Sequence, residues 1–140
     1  MPPPDSSGID AAIVSLIGSD VTLLALCPNG VYVDEAPEGM TRFVIVSLVD
    51  EEDMQGFDGR LAEDALFLVE ARMRSSANGD IRSAAARIDV LLEGQNLTAT
   101  GFTTMTMHRE RRIRLTEIDD VDEKIRWYRR GGHYRVAMST

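Results

Sequence analysis

The segment from Leu61 to Gly94, LAEDALFLVEARMRSSANGDIRSAAARIDVLLEG, changes its hydrophobic period halfway along, and that change limits the folds open to the chain. Ala65, Phe67, Val69 and Ala71 alternate with Leu66, Leu68, Glu70 and Arg72. A period of two marks a strand buried on one face, and the second face, turning polar toward Arg72, is expected to be partly covered. Asn78-Gly79-Asp80 then offers turn and capping chemistry. Ile81, Ala84, Ala85, Ile88, Leu91 and Leu92 follow at helical spacing, with Arg82, Arg87, Asp89 and Glu93 opposite. Gly94 supplies a stop. A helix with so clear an apolar stripe packs across a sheet that contains the preceding strand.

The flanking segments extend this unit. Ile9, Ala12, Ile13, Leu16 and Ile17 share one face of a helix ended by Gly18, and Asp20 can cap a further short turn carrying Leu23, Leu24 and Leu26. Pro28-Asn29-Gly30 turns the chain. Val31-Tyr32-Val33 and Arg42 to Val49 read as strands, and FVIVSLV, apolar on both faces, marks a central strand. Asp50 to Arg60, DEEDMQGFDGR, reads as a long acidic connection. After the helix come a Thr-rich piece from Leu97 to Thr106, a loosely alternating strand from Met107 to Ile118, an acidic turn from Asp119 to Lys124, and a last strand from Ile125 to Met138. Gly131-Gly132 is expected to break or bulge that strand. The expected fold is α+β: a largely antiparallel sheet of four to five strands packed by two helices, in a single domain over residues 9–140, behind a flexible tail at 1–8.

Length and charge narrow the class. A chain of 140 residues buries roughly two-thirds of its unfolded surface as one domain. No apolar run approaches the ~20 residues of a membrane span, and MPPPDSSG has neither the basic nor the apolar segment of a signal peptide. The single Cys27 excludes an internal disulfide and fits a reducing cytoplasm. A net charge of −8 argues against gripping nucleic acid, although it suits a protein that lies beside DNA.

No specific catalytic constellation is visible, and no cofactor or metal is expected. His108 and His133 lie in separate strands without a second ligand, and Cys27 follows an apolar turn as a buried structural thiol does. The acidic groups Asp50-Glu51-Glu52-Asp53 and Glu117 to Glu123 lack the alternating ligands of a calcium loop. Two features point instead to assembly. Basic charge concentrates in the last third, where Arg109, Arg111, Arg126 and Arg129 are candidate subunit-interface residues. In the acidic connection, Asp50, Glu51, Glu52, Asp53, Met54, Phe57 and Asp58 are candidate partner contacts, with Met54 and Phe57 as apolar anchors that become buried on binding.

The order of these elements resembles the tail terminator, or tail completion, proteins of long-tailed bacteriophages, prophages and gene transfer agents. The likeness rests on LLALCPNGVYVDEAPEG running into RFVIVSLV, on GFDGRLAEDALFLVEAR before the amphipathic helix, and on the closing WYRRGGHYRVAM. It spans about Ile9 to Met138. Val33 and Thr41-Arg42 stand where that family often has prolines, a difference in turn geometry. The resemblance implies a non-enzymatic virion protein assembled in the host cytoplasm. Its form would be a homo-oligomeric ring, expected to be a hexamer, that caps the head-proximal end of the tail tube. Its partners would be the tail tube protein and the head connector or neck, with DNA passing through the lumen unbound and no membrane involved. The competing readings are another neck or tail-tube component, and a small α+β ligand-binding or enzymatic domain.

Overall fold

The computed structural model describes the backbone of residues 8–56, 59–74, 78–96 and 104–139, and the side chains of 8–50, 64–74, 79–96 and 106–137. The elements are α1 (Ile9–Gly18), α2 (Val21–Leu26), β1 (Val31–Val33), β2 (Arg42–Gly56), β3 (Gly59–Arg74), α3 (Asn78–Leu92), β4 (Thr104–Ile118) and β5 (Arg126–Ser139). They form one five-stranded sheet, ordered β1-β2-β3-β5-β4, in which only the β1–β2 pair is parallel. The α+β expectation holds. The turn capped by Asp20 is a third helix, its side chain accepting the Leu23 N–H at 2.9 Å.

β3 organises the sheet as its periodicity requires. Ala65, Phe67, Val69 and Ala71 are all buried, and they meet Val44 and Val46 of β2 and Tyr134 and Val136 of β5 on the same face. α3 lays Ile81, Ala84, Ile88 and Leu92 on that face, and α1 adds Ile9, Ile13 and Ile17. Cys27 is buried there too, and desolvation pushes its thiol up to about 11, the state of an inert structural cysteine. Gly94 closes α3 in a left-handed conformation with φ of 73°. The turn-forming Asn78-Gly79-Asp80 sits within the first turn of α3, and Asp80 pairs with Arg42 at 2.8 Å.

Two expectations are corrected. The Asp50–Arg60 connection is not a loop where its backbone is described: β2 continues to Gly56 and β3 starts at Gly59, paired residue by residue except for irregularities at Leu48/Asp50 and Met54/Gln55. Leu48, Val49 and Asp50, at its start, are exposed, and DEEDMQG carries no hydrophobic alternation. A strand without that alternation reads as a loop in the sequence. Phe57 and Asp58 lie outside the described residues, as do the side chains of Glu51, Glu52, Asp53 and Met54. The second correction concerns Gly131-Gly132. β5 pairs with β3 without a break from Ala62–Ser139 to Arg74–Trp127, and the bulge lies in the neighbouring strand, between Arg109 and Arg111 of β4.

Gly131 serves close approach instead. A Cβ there would stand 2.0 Å from the Val69 carbonyl oxygen and 2.5 Å from Glu70 Cα, both backbone atoms that cannot move aside. Gly131→Ala should therefore cost about 3 kcal/mol, by forced separation of β3 and β5, and urea unfolding would measure it. A change within 0.5 kcal/mol would mean the strands part without penalty.

The helical layer carries a pH-dependent tie. Asp20 receives the Arg87 guanidinium of α3 through two hydrogen bonds, at 2.7 and 2.9 Å, as well as the Leu23 N–H. The Arg87 bonds first, then the cap, hold its carboxyl at about 2, below the ordinary carboxylate value. A depressed folded pKa gives stability that is complete above about pH 4 and lost as pH falls toward 2. Asp20→Asn keeps a capping side chain but loses the charge. It should lower the urea midpoint at pH 7, and the gap to wild type should close between pH 4 and pH 2. A gap independent of pH would show that the pair contributes nothing.

Candidate functional site

The arginines of the last third separate into three environments. Arg129 is drawn into the helix-free face of the sheet, where Glu70 is completely buried. Glu70 Oε1 accepts from Arg72 Nε and Arg129 Nε, each at 2.8 Å, while Oε2 accepts no hydrogen bond from the described residues. Arg129 also holds Glu117 at 2.5 Å. Burial opposes its charge, but Glu70 and Glu117 more than offset that and raise its pKa. Beside this cluster, Tyr32, Phe43 and Trp127 meet edge to face, and Trp127 Nε1 donates to Asp119 at 2.8 Å. Arg126 is held locally by the carbonyls of Glu123 and Ile125. The acidic turn is thus committed to structure, with Asp119 also accepting the backbone N–H groups of Val121 and Asp122.

Removing one partner of a buried charge cluster leaves the others uncompensated. Glu70→Ala should cost about 3 kcal/mol in urea unfolding, whereas Glu70→Leu combined with Arg129→Leu should recover much of that loss. Strict additivity of the two single changes would show that Glu70 and Arg129 are uncoupled.

The second environment lies on the helix side of β4 and β5. The bulge at Glu110 shifts the phase of β4, so Arg109, Arg112 and Arg114 face the same way, opposite Tyr134, Gly132 and Arg130. Simple alternation groups Arg109 with Arg111, which the structure places on opposite faces. Together with Arg82 of α3, these side chains line a groove of about 550 Å³ between α3 and the β4–β5 pair, partly floored by Ala85, Ala86 and Val90. Only Arg109 is neutralised locally, by Asp89 at 2.7 Å, and Asp89 also accepts the Tyr134 hydroxyl at 3.0 Å. Arg82, Arg112, Arg114 and Arg130 have no ion-pair partner among the described residues. Burial, then the nearby Arg114 and Arg82 charges, lower the Arg130 pKa. The groove's five arginines and one carboxylate give it a charge of +4, within a chain of net −8.

Arg111 forms the third environment, exposed on β4 next to His133 of β5. The outer edge of β4 is protected near its start: the Gly94 N–H donates to the Met107 carbonyl, and the Arg109 N–H donates to the Glu93 carboxylate. His108 is exposed, 3.6 Å from Glu93 in the same cover. Sequence reasoning found Arg109 but missed Arg82 and Arg130 as its neighbours, because neither the helix-to-sheet docking nor the bulge is written in a local pattern.

No family model and no curated protein sequence matches the chain. Among solved structures, the chain is similar to one chain of the virion of a native gene transfer agent particle, with a TM-score of 0.65. The two are 19% identical, and the likeness covers 94% of this chain and 95% of that one. At this identity it establishes a shared fold.

Proposed function

We propose that the protein is a virion structural protein acting as a tail terminator: a ring, six-membered in our reading, that caps the head-proximal end of a tail tube. It stops tube growth and offers the surface to which the head connector docks. The observation that carries this reading is the likeness to a chain of a gene transfer agent virion over nearly the full length of both chains. The element order from α1 to β5 and the charge distribution support it. An acidic protein lining a channel repels DNA phosphates, which suits passage without adhesion. The groove at +4 and the acidic β2–β3 hairpin are opposite charges on separate parts of one chain, the arrangement that drives head-to-tail contact. Within that contact, Arg109 lies in the groove and Arg111 on the open strand, while Arg126 and Arg129 support the β4–β5 surface through contacts within the chain.

Deletion of the gene in particle-producing cells tests the reading by electron microscopy. Overlong tails and unjoined heads are expected, with normal particles restored when the chain is supplied. Tails of normal length joined to heads would reject it. Purified protein that grows into long tubes would identify a tube component instead.

A further inference from the structure

We propose that the arginine-lined groove between α3 and the β4–β5 pair is a socket for the acidic β2–β3 hairpin of a second copy of this chain. This rests on the ring reading above and gives its subunit contact a chemical identity.

Charge, lining and position carry the inference. The groove holds Arg82, Arg112, Arg114 and Arg130 without ion-pair partners among the described residues, its one described carboxylate being paired with Arg109, yet the chain as a whole is strongly acidic. Four guanidinium groups crowded around a semi-enclosed space repel one another, and an acidic occupant removes that cost. The lining is mixed: the arginines supply charge-assisted donors, and Ala85, Ala86 and the exposed Val90 offer an apolar floor. An acidic strand with apolar residues among its charges matches both.

The hairpin has that chemistry. From Glu51 to Glu63 its sequence carries Glu51, Glu52, Asp53, Asp58 and Glu63 against the single Arg60, a net −4 to set against the groove's +4. Met54 and Leu61 add apolar groups. Among the described residues, no strand lies beside the outer side of β2 after Val46, where its pairing with β1 ends.

The same chain cannot fill its own socket. The groove's lining runs from Arg130, in register with Ala71 of β3, to Tyr134, in register with Phe67, while Ala62, near the hairpin end, is five to nine residues further along the same strand. At ~3.3 Å per residue that is about 17–30 Å along a strand paired on both sides. A donor on one part of the surface and a socket on another make a heterologous contact, which repeats around a ring if its rotation closes.

Charge exchange tests the contact in the full-length protein. Socket reversal is Arg112→Glu with Arg114→Glu. Hairpin reversal is Glu51→Lys with Glu52→Lys. Sedimentation velocity at low salt and high concentration is the readout, with circular dichroism confirming that each variant folds. Wild-type association should weaken as salt rises, and each reversal alone should reduce it at least tenfold. Mixing the two variants should restore association, since each supplies the complement the other needs, and combining all four changes in one chain should do the same. Wild type that stays monomeric throughout, association that survives either reversal, or no restoration on mixing overturns the proposal. Saturable binding of a short DNA duplex, lost on socket reversal, assigns the groove to phosphate and overturns it as well. The ring reading is judged separately by tail length and head joining in the deletion strain. Rings that persist after either reversal alone would leave that reading intact and remove only this contact.

Discussion

The close pairing of β5 against β3 at Gly131 is the constraint on which the rest of the structure depends. It lets thirteen residues of β5 pair with β3 without a register shift, so Tyr134 and Val136 stay on the face that α3 covers. A one-residue slip would turn both outward and bring Arg129 and Arg135 into the core. The same pairing carries β4, because β4 touches the sheet only through β5. The position of the arginine groove therefore follows from a glycine in the strand beside it.

Electrostatics divides the molecule by element. On the helix-free face Glu70 gathers Arg72 and Arg129, and Arg135 bridges Asp64 and Glu110, so basic side chains are satisfied within the chain. On the helix side the bulge at Glu110 delivers three arginines of β4 to a groove where Asp89 is the only lining carboxylate among the described residues. Exposed ion pairs contribute little to stability, about 0–1 kcal/mol each. Folding alone gives no reason to collect four further arginines there without counter-charges, and a cluster of like charge costs energy in the isolated chain.

How much was legible in the sequence depended on whether a residue pattern had a buried face. The alternation of Ala65 to Arg72 and the helical stripe from Ile81 to Leu92 gave the central strand and its covering helix, because burial imposes period on sequence. The same rule misread Asp50 to Gly56, where β2 runs on through a sequence without hydrophobic alternation, and a strand looked like a loop. Gly131-Gly132 signalled an irregularity that proved to be a close approach, since both need a residue without Cβ. Arg109 was legible as part of a basic cluster. Its true neighbours, Arg82 and Arg130, were not, because they meet it only through the docking of α3 and the phase shift in β4.

The size of the groove bears on how such a contact would work. A stable two-body interface buries roughly 1,200–2,000 Å² in all, and a socket of about 550 Å³ that takes one strand end supplies part of that. A single hairpin–socket contact is then weak and salt-sensitive, so two copies meeting in solution separate readily. Ring closure changes the arithmetic. In the proposed ring, the subunit that completes it would make two contacts at once, the second at the high effective concentration set by the first. A weak heterologous contact that becomes stable only on closure would give an all-or-none end to assembly, the behaviour that the proposed terminator role requires.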